Sequence, residues 1–134
     1  MIRAIDAQNR VEIKRFLKNC KESLISFRYF NSRDLSAIDN HVLTVLYYNN
    51  ENPIGYGHLD KENGKVWLGI CLADDFRGVG IGKKIMSYMI NLSKTDIYLS
   101  VDKENIAAIN LYEMFGFHIE RENIDSIFMK RSYE

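Results

Sequence analysis

The sequence predicts an α/β fold built on a mixed, mainly antiparallel sheet. Three observations predict it. The apolar run Val66–Leu72 leads through a glycine-rich turn into an amphipathic helix. Two β-branched and aromatic runs precede it, separated by turn residues at hairpin spacing. After the helix come one strand-like run, one more helical pattern and two closing strand-like runs.

The chain has 134 residues, which suits one domain over 1–134. Lys plus Arg equals Asp plus Glu at 18 each, which argues against broad electrostatic binding to nucleic acid or an anionic membrane. No apolar run reaches the length of about 18 residues that a spanning helix needs, and Met1–Asp6 lacks a signal-peptide core. Cys20 and Cys71 are isolated, with no metal-ligand cluster around them, so no metal is expected. A reduced, cytoplasmic protein is the simplest expectation.

Residues 6–21 read as an amphipathic helix with Val11, Phe16, Leu17 and Cys20 among its apolar positions. Leu24–Arg33 mixes aromatics with arginines and is compatible with a short helix or a loop. Val42–Tyr48 reads as a strand, Asn49–Pro53 as a turn, and Ile54–Asp60 as the hairpin partner. A second hairpin turn, Lys61–Lys65, delivers the chain into Val66–Leu72. Gly69 inside that strand marks a bulge or a close backbone approach. Beyond the glycine turn, Ile81, Ile85, Met86, Met89 and Ile90 fall at helical spacing. Asp96–Val101 is a further strand. Asn105 caps a helix carrying Ala108, Leu111, Tyr112 and Phe115, and Gly116 stops it. Phe117–Glu120 and Ser126–Lys130 close the sheet.

The glycine turn, Arg77-Gly78-Val79-Gly80-Ile81-Gly82-Lys83, is suited to an anion. Its glycines let backbone approach a ligand, and the first N–H groups of the following helix point outward at the positive end of the helix dipole. Phosphate or pyrophosphate is the natural guest, with Arg77 adding a bidentate contact. The dinucleotide fingerprint fails because Lys83 stands where its third glycine belongs. The Walker pattern fails at Arg77 and Lys84, which makes a phosphotransfer domain a poor fit.

The pattern that fits is Arg-x-x-Gly-x-Gly, met by Arg77, Gly80 and Gly82. With the preceding apolar strand and the later Asn105-Ile106-Ala107-Ala108-Ile109-Asn110-Leu111-Tyr112-Glu113-Met114-Phe115-Gly116-Phe117, it resembles the GNAT superfamily of acyl-CoA-dependent N-acetyltransferases. The resemblance spans Ile54 to about Ile119. It implies a splayed sheet of about six to seven strands flanked by helices, with acetyl-CoA as acyl donor in the gap. No first strand is legible before the opening helix, where the family has one.

By position, the resemblance assigns Ile70, Cys71 and Leu72 to the acyl and pantetheine groups. It assigns Arg77, Gly78, Val79, Gly80, Ile81, Gly82 and Lys83 to the pyrophosphate and Asn105 to the pantetheine arm. Tyr112 becomes the general acid, a role its ordinary pKa of about 10 supports against about 8.5 for a thiol; the alternative is a core aromatic. Some members carry a glutamate base where this chain has Val66. His58 and Asp60, on one strand face with Tyr56, are the candidate bases; the alternatives are a satisfied strand histidine and a turn residue. Cys71 reads as a core cysteine rather than an acyl carrier.

Arg28, Tyr29, Phe30 and Arg33 form an aromatic and cationic cluster suited to an anionic or nucleotide-linked acceptor, against which stands a solvated helix face. The expected reaction is acetyl transfer to a small primary amine, with an amino sugar or its nucleotide conjugate favoured. The alternatives are a protein or peptide amine as acceptor, or a non-catalytic acyl-CoA sensor. A homodimer is left open.

Overall fold

A computed structural model describes residues 1–20, 29–31, 33, 41–76 and 80–133. Its centre is a seven-stranded sheet of order β1-β2-β3-β4-β5-β7-β6. The strands are β1 (Ile2–Ala4), β2 (His41–Asn49), β3 (Asn52–Glu62), β4 (Lys65–Leu72), β5 (Ile97–Asp102), β6 (His118–Glu122) and β7 (Ser126–Arg131). Three α-helices are described: α1 (Arg10–Lys18), α2 (Ile81–Leu92) and α3 (Ile106–Met114). This is the mixed, mainly antiparallel α/β architecture expected; among the described strands, only β4 and β5 pair in parallel.

Three expectations need correcting. A first strand does exist: β1 pairs antiparallel with β2 from Ile2↔Tyr47 to Ala4↔Val45, a stretch too short to carry a period-2 pattern. The opening helix is shorter than expected, because a 3₁₀ turn at Ala7–Asn9 takes up its start. Its core side is Ile13 and Phe16, while Val11 is exposed. Tyr48 fastens it from below, donating its hydroxyl to Glu12 Oε1 at 2.6 Å. Pro53 lies inside β3 rather than in the turn, near the strand's start, where proline is tolerated.

The two hairpins follow from local chemistry. Asn63 (φ 53) and Gly64 (φ 77) are both left-handed, as a two-residue turn between β3 and β4 requires. At the other hairpin, Asn50 (φ 58) takes the left-handed position. The helix α2 buries Ile81, Ile85, Met86, Met89 and Ile90, the five positions its spacing indicated. It lies on one sheet face, with Ile85 and Met89 closed down on Gly55 and Gly57 of β3. The opposite face carries Phe16 of α1, stacked on Tyr56 with ring centroids 5.9 Å apart.

The feature that makes a site is the junction of β4 and β5. They pair only at Val66↔Ile97 and Trp67↔Tyr98, after which the ladder stops. The sheet therefore splays. Beyond Trp67, β4 buries Leu68 and Cys71 and leaves Gly69, Ile70 and Leu72 half-buried, although the run is apolar throughout.

Candidate active site

The gap opens into a cleft of about 880 Å³. One wall is built on three cross-strand rungs between β3 and β4, Asp60↔Trp67, His58↔Gly69 and Tyr56↔Cys71; Tyr56 is fully buried behind it, and the other five residues line the cleft. Period-2 alternation puts these residues on one face. Leu68 to Leu72 of β4 line the cleft, as do Ser100, Val101 and Asp102 of β5.

At the Leu72 end lies the start of α2. Gly80, its N-cap, has φ 86, a left-handed conformation that glycine adopts without penalty. Gly80, Gly82 and Lys83 line the cleft, whereas the Ile81 side chain turns into the core. Arg77, Gly78 and Val79 lie outside the described residues. Asn105 caps α3 as expected, accepting from Ala108 N at 3.2 Å, and also borders the cleft. Its Oδ1 serves the helix, so its amide N–H groups are the side available to a ligand. Tyr112 reaches the cleft from α3, 6% exposed. Burial, with the Cys71 thiol adding to it, raises its phenol well above the ordinary tyrosine range.

The Trp67 end is polar. Asp60, 4% exposed, accepts from the Tyr29 hydroxyl at 2.8 Å. His58, 2% exposed, lies with Nδ1 2.6 Å from Tyr56 Oη, and its ring covers Gly69. The strand register is regular there, so Gly69 marks a close approach and not a bulge. Burial first, then the fields of His41 and Arg33, hold the His58 imidazole well below the usual histidine range. Burial raises Tyr29 and Tyr56 well above theirs, Tyr29 further through its bond to Asp60.

The stretch that sequence left between helix and loop contains a 3₁₀ turn at Tyr29–Asn31. Arg33 lies over the Tyr29 ring, 4.3 Å from its centroid, and pairs with Glu62 at 3.2 Å. Tyr29, Arg33, Asp60 and Glu62 all line the cleft, while Arg28 lies outside the described residues. Sequence reasoning missed two residues here. Glu62 continues the Asp60 face, a signal that alternation offered. His41 contacts Tyr29 at 2.6 Å, and no sequence pattern pointed to it. Among the described residues, no group of three His, Cys, Asp or Glu side chains could hold a metal, and no helix is long and apolar enough to cross a membrane.

The cleft suits acetyl-CoA in kind: a helix N-terminus for phosphate, a strand edge for amides, and a buried phenol beyond them. Comparisons with known proteins agree. The chain is 42% identical over 69 residues to spermine/spermidine N(1)-acetyltransferase of Bacillus subtilis strain 168, a match covering 47% of this chain and 45% of that one. It is 41% identical over 54 residues to N-alpha-acetyltransferase 50 of Danio rerio, covering 37% and 32%. These curated relatives are thus matched over less than half their length. The PaiA N-acetyltransferase of Thermoplasma acidophilum, solved with coenzyme A, superposes with TM-score 0.79 at 16% identity over 99% of this chain and 98% of that one. A putative acetyltransferase of Salmonella typhimurium, yncA, solved with acetyl-CoA, superposes with TM-score 0.79 at 18% identity over 100% and 94%. The model of the acetyltransferase (GNAT) family matches residues 10–117, and the chain belongs to that family.

Proposed function

We propose that the chain forms an N-acetyltransferase domain that moves an acetyl group from acetyl-CoA to a primary amine of a small cationic acceptor, with both substrates held in the cleft. The observation that carries this is the early end of the β4–β5 ladder, which opens a cleft with a helix N-terminus at one end and a buried carboxylate at the other. Acetyl-CoA, when bound, supplies the acetyl group as an activated thioester.

Each residue then has a role. Gly80, Ile81, Gly82 and Lys83 would hold the pyrophosphate through backbone N–H groups and the lysine charge, and the motif extends that role to Arg77, Gly78 and Val79. The peptide groups of Ile70, Cys71 and Leu72 would take the acyl and pantetheine amides, and one N–H there would stabilise a developing oxyanion. Asn105 would contact the pantetheine arm. Tyr112, held in its protonated form by burial, would donate to the departing thiolate. His58 stands between the Asp60 rung and the Tyr112 end, kept neutral, and would take the proton that the attacking amine gives up.

The acceptor is read from the charges. The expectation of an amino sugar or nucleotide conjugate rested on the cluster of Arg28, Tyr29, Phe30 and Arg33. Arg33 is engaged by Glu62 and the Tyr29 ring, while Asp60 offers a buried carboxylate on the same wall. A carboxylate favours an ammonium over a phosphate. The relative named for spermine and spermidine supports a polyamine as the first acceptor to test. Free-thiol release from acetyl-CoA, measured with spermidine, spermine, diamines, amino sugars, nucleotide amino sugars and peptides, tests the proposal. Release that depends on a di- or polyamine is the expected result. Release only with amino sugars would return the acceptor to the first expectation, and none with any amine would remove the activity.

A further inference from the structure

His41 sits directly opposite Asp60 in the β2–β3 register. Simple alternation would not bring its side chain together with Thr44. A register shift between His41 and Leu43 sets Val42 aside as the extra residue of a bulge, and His41 and Thr44 come to share a face with Asp60 and His58. Three short contacts result. His41 Nδ1 is 2.8 Å from Thr44 Oγ1, His41 Nε2 is 2.6 Å from Tyr29 Oη, and Tyr29 donates to Asp60 Oδ2 at 2.8 Å.

Proton counting orients the whole chain. A phenol has one proton, and a carboxylate attracts it more strongly than a neutral imidazole does. Were Tyr29 to donate to His41 instead, lone pairs of Tyr29 and Asp60 would face each other across 2.8 Å. With the proton on the Asp60 side, His41 can bond to Tyr29 only if Nε2 carries the hydrogen. Nδ1 must then accept, and Thr44 has a hydroxyl to give. Every donor points the same way: Thr44 to His41, His41 to Tyr29, Tyr29 to Asp60.

The surroundings keep His41 in the required neutral form. Burial lowers its pKa, the nearby Arg33 charge lowers it further, and only Asp60 opposes them. His58, itself held neutral, lies against it with ring centroids 4.5 Å apart. Protonation would put a hydrogen on Nδ1 and break the bond from Thr44.

We propose that His41 is a positioning residue for the acceptor: backed by Thr44, it holds the Tyr29 hydroxyl on Asp60 and fixes the carboxylate that binds the substrate ammonium. The proposal rests on the reading of Asp60 as the acceptor's anchor, and its test separates the two.

The first readout is spectroscopic and needs no turnover. Long-range ¹H–¹⁵N spectra of the full chain, with His41 assigned by its loss in His41→Gln, should show a neutral Nε2–H tautomer at pH 7.5. That tautomer preference should be lost in Tyr29→Phe. An Nδ1–H tautomer, or an imidazolium, would overturn the proposal. The second readout is kinetic, with spermidine and acetyl-CoA. His41→Leu should raise the spermidine KM about tenfold with the acetyl-CoA KM unchanged, and His41→Gln, which keeps a donor at the Nε2 position, should restore most of the loss. Equal losses in the leucine and glutamine variants would point to packing alone and overturn it. Absence of amine-dependent thiol release from the unmodified protein would instead sink the proposed activity, and the tautomer would still decide the role of His41.

Discussion

The imidazole of His58 lies across Gly69, its direct partner on the neighbouring strand. A Cβ added at Gly69 would stand 2.5 Å from His58 Cε1 and 2.6 Å from Nε2, inside van der Waals contact. The ring is packed against those of Tyr29, His41 and Tyr56, so it cannot step aside cheaply. Gly69→Ala should therefore cost about 1–3 kcal/mol of stability and displace His58. Denaturant unfolding and thiol-release rates check this together; a variant as stable and as active as the parent would show that the ring moves freely.

His41 and His58 make stability pH-dependent in a definite direction. Burial depresses both pKa values below the ordinary 6.5, so below that pH the unfolded chain binds protons that the folded chain refuses. Their contribution is fully present above about pH 6.5 and is lost as pH falls through their folded-state values. Melting temperature should fall between pH 7 and pH 5, a window above the range where Glu12 and Asp96, both lowered in the fold, lose theirs. In His58→Gln the slope of melting temperature against pH should be shallower. An unchanged slope would mean that His58 titrates normally.

Tyr112→Phe removes one hydroxyl from a buried ring and leaves its packing against Phe117, at 5.9 Å between centroids, in place. Turnover should fall roughly a hundredfold, within the range for loss of a general acid, with little change in acetyl-CoA affinity. Calorimetric titration of the donor beside steady-state rates separates the two quantities. Unchanged turnover would return Tyr112 to the core.

Asp60→Asn keeps the shape of the side chain and removes its charge. The KM for a di- or polyamine should rise by roughly one to two orders of magnitude, as for loss of a charged partner in a desolvated site. A neutral amine acceptor, compared in the same assay, should lose much less. Equal losses for both would argue that Asp60 shapes the pocket rather than binding charge.

Much of the fold was legible because its signals are local. The spacing of Ile81, Ile85, Met86, Met89 and Ile90 marks the buried side of α2. The Asn105 cap and the Gly116 stop (φ 89) bracket α3 by hydrogen-bonding and backbone chemistry that involve only near neighbours. Asn63-Gly64 does the same for a hairpin. The three rungs of the cleft wall were also partly visible, since Tyr56, His58 and Asp60 alternate along one strand.

What sequence alone determined, then, is the order strand–glycine turn–helix, the capped helix that carries Tyr112, and the family those motifs mark. Tertiary structure decided the rest. The β4–β5 ladder ends after Trp67, which turns an apolar strand into the wall of a cleft. A register shift around Val42 brings His41 and Thr44 to the face of Asp60, with Tyr29 arriving from a distant turn. Residues 29, 41 and 60 meet because of strand register and packing. Neither is encoded in the period of any one segment, because a single extra residue reverses which face a side chain occupies.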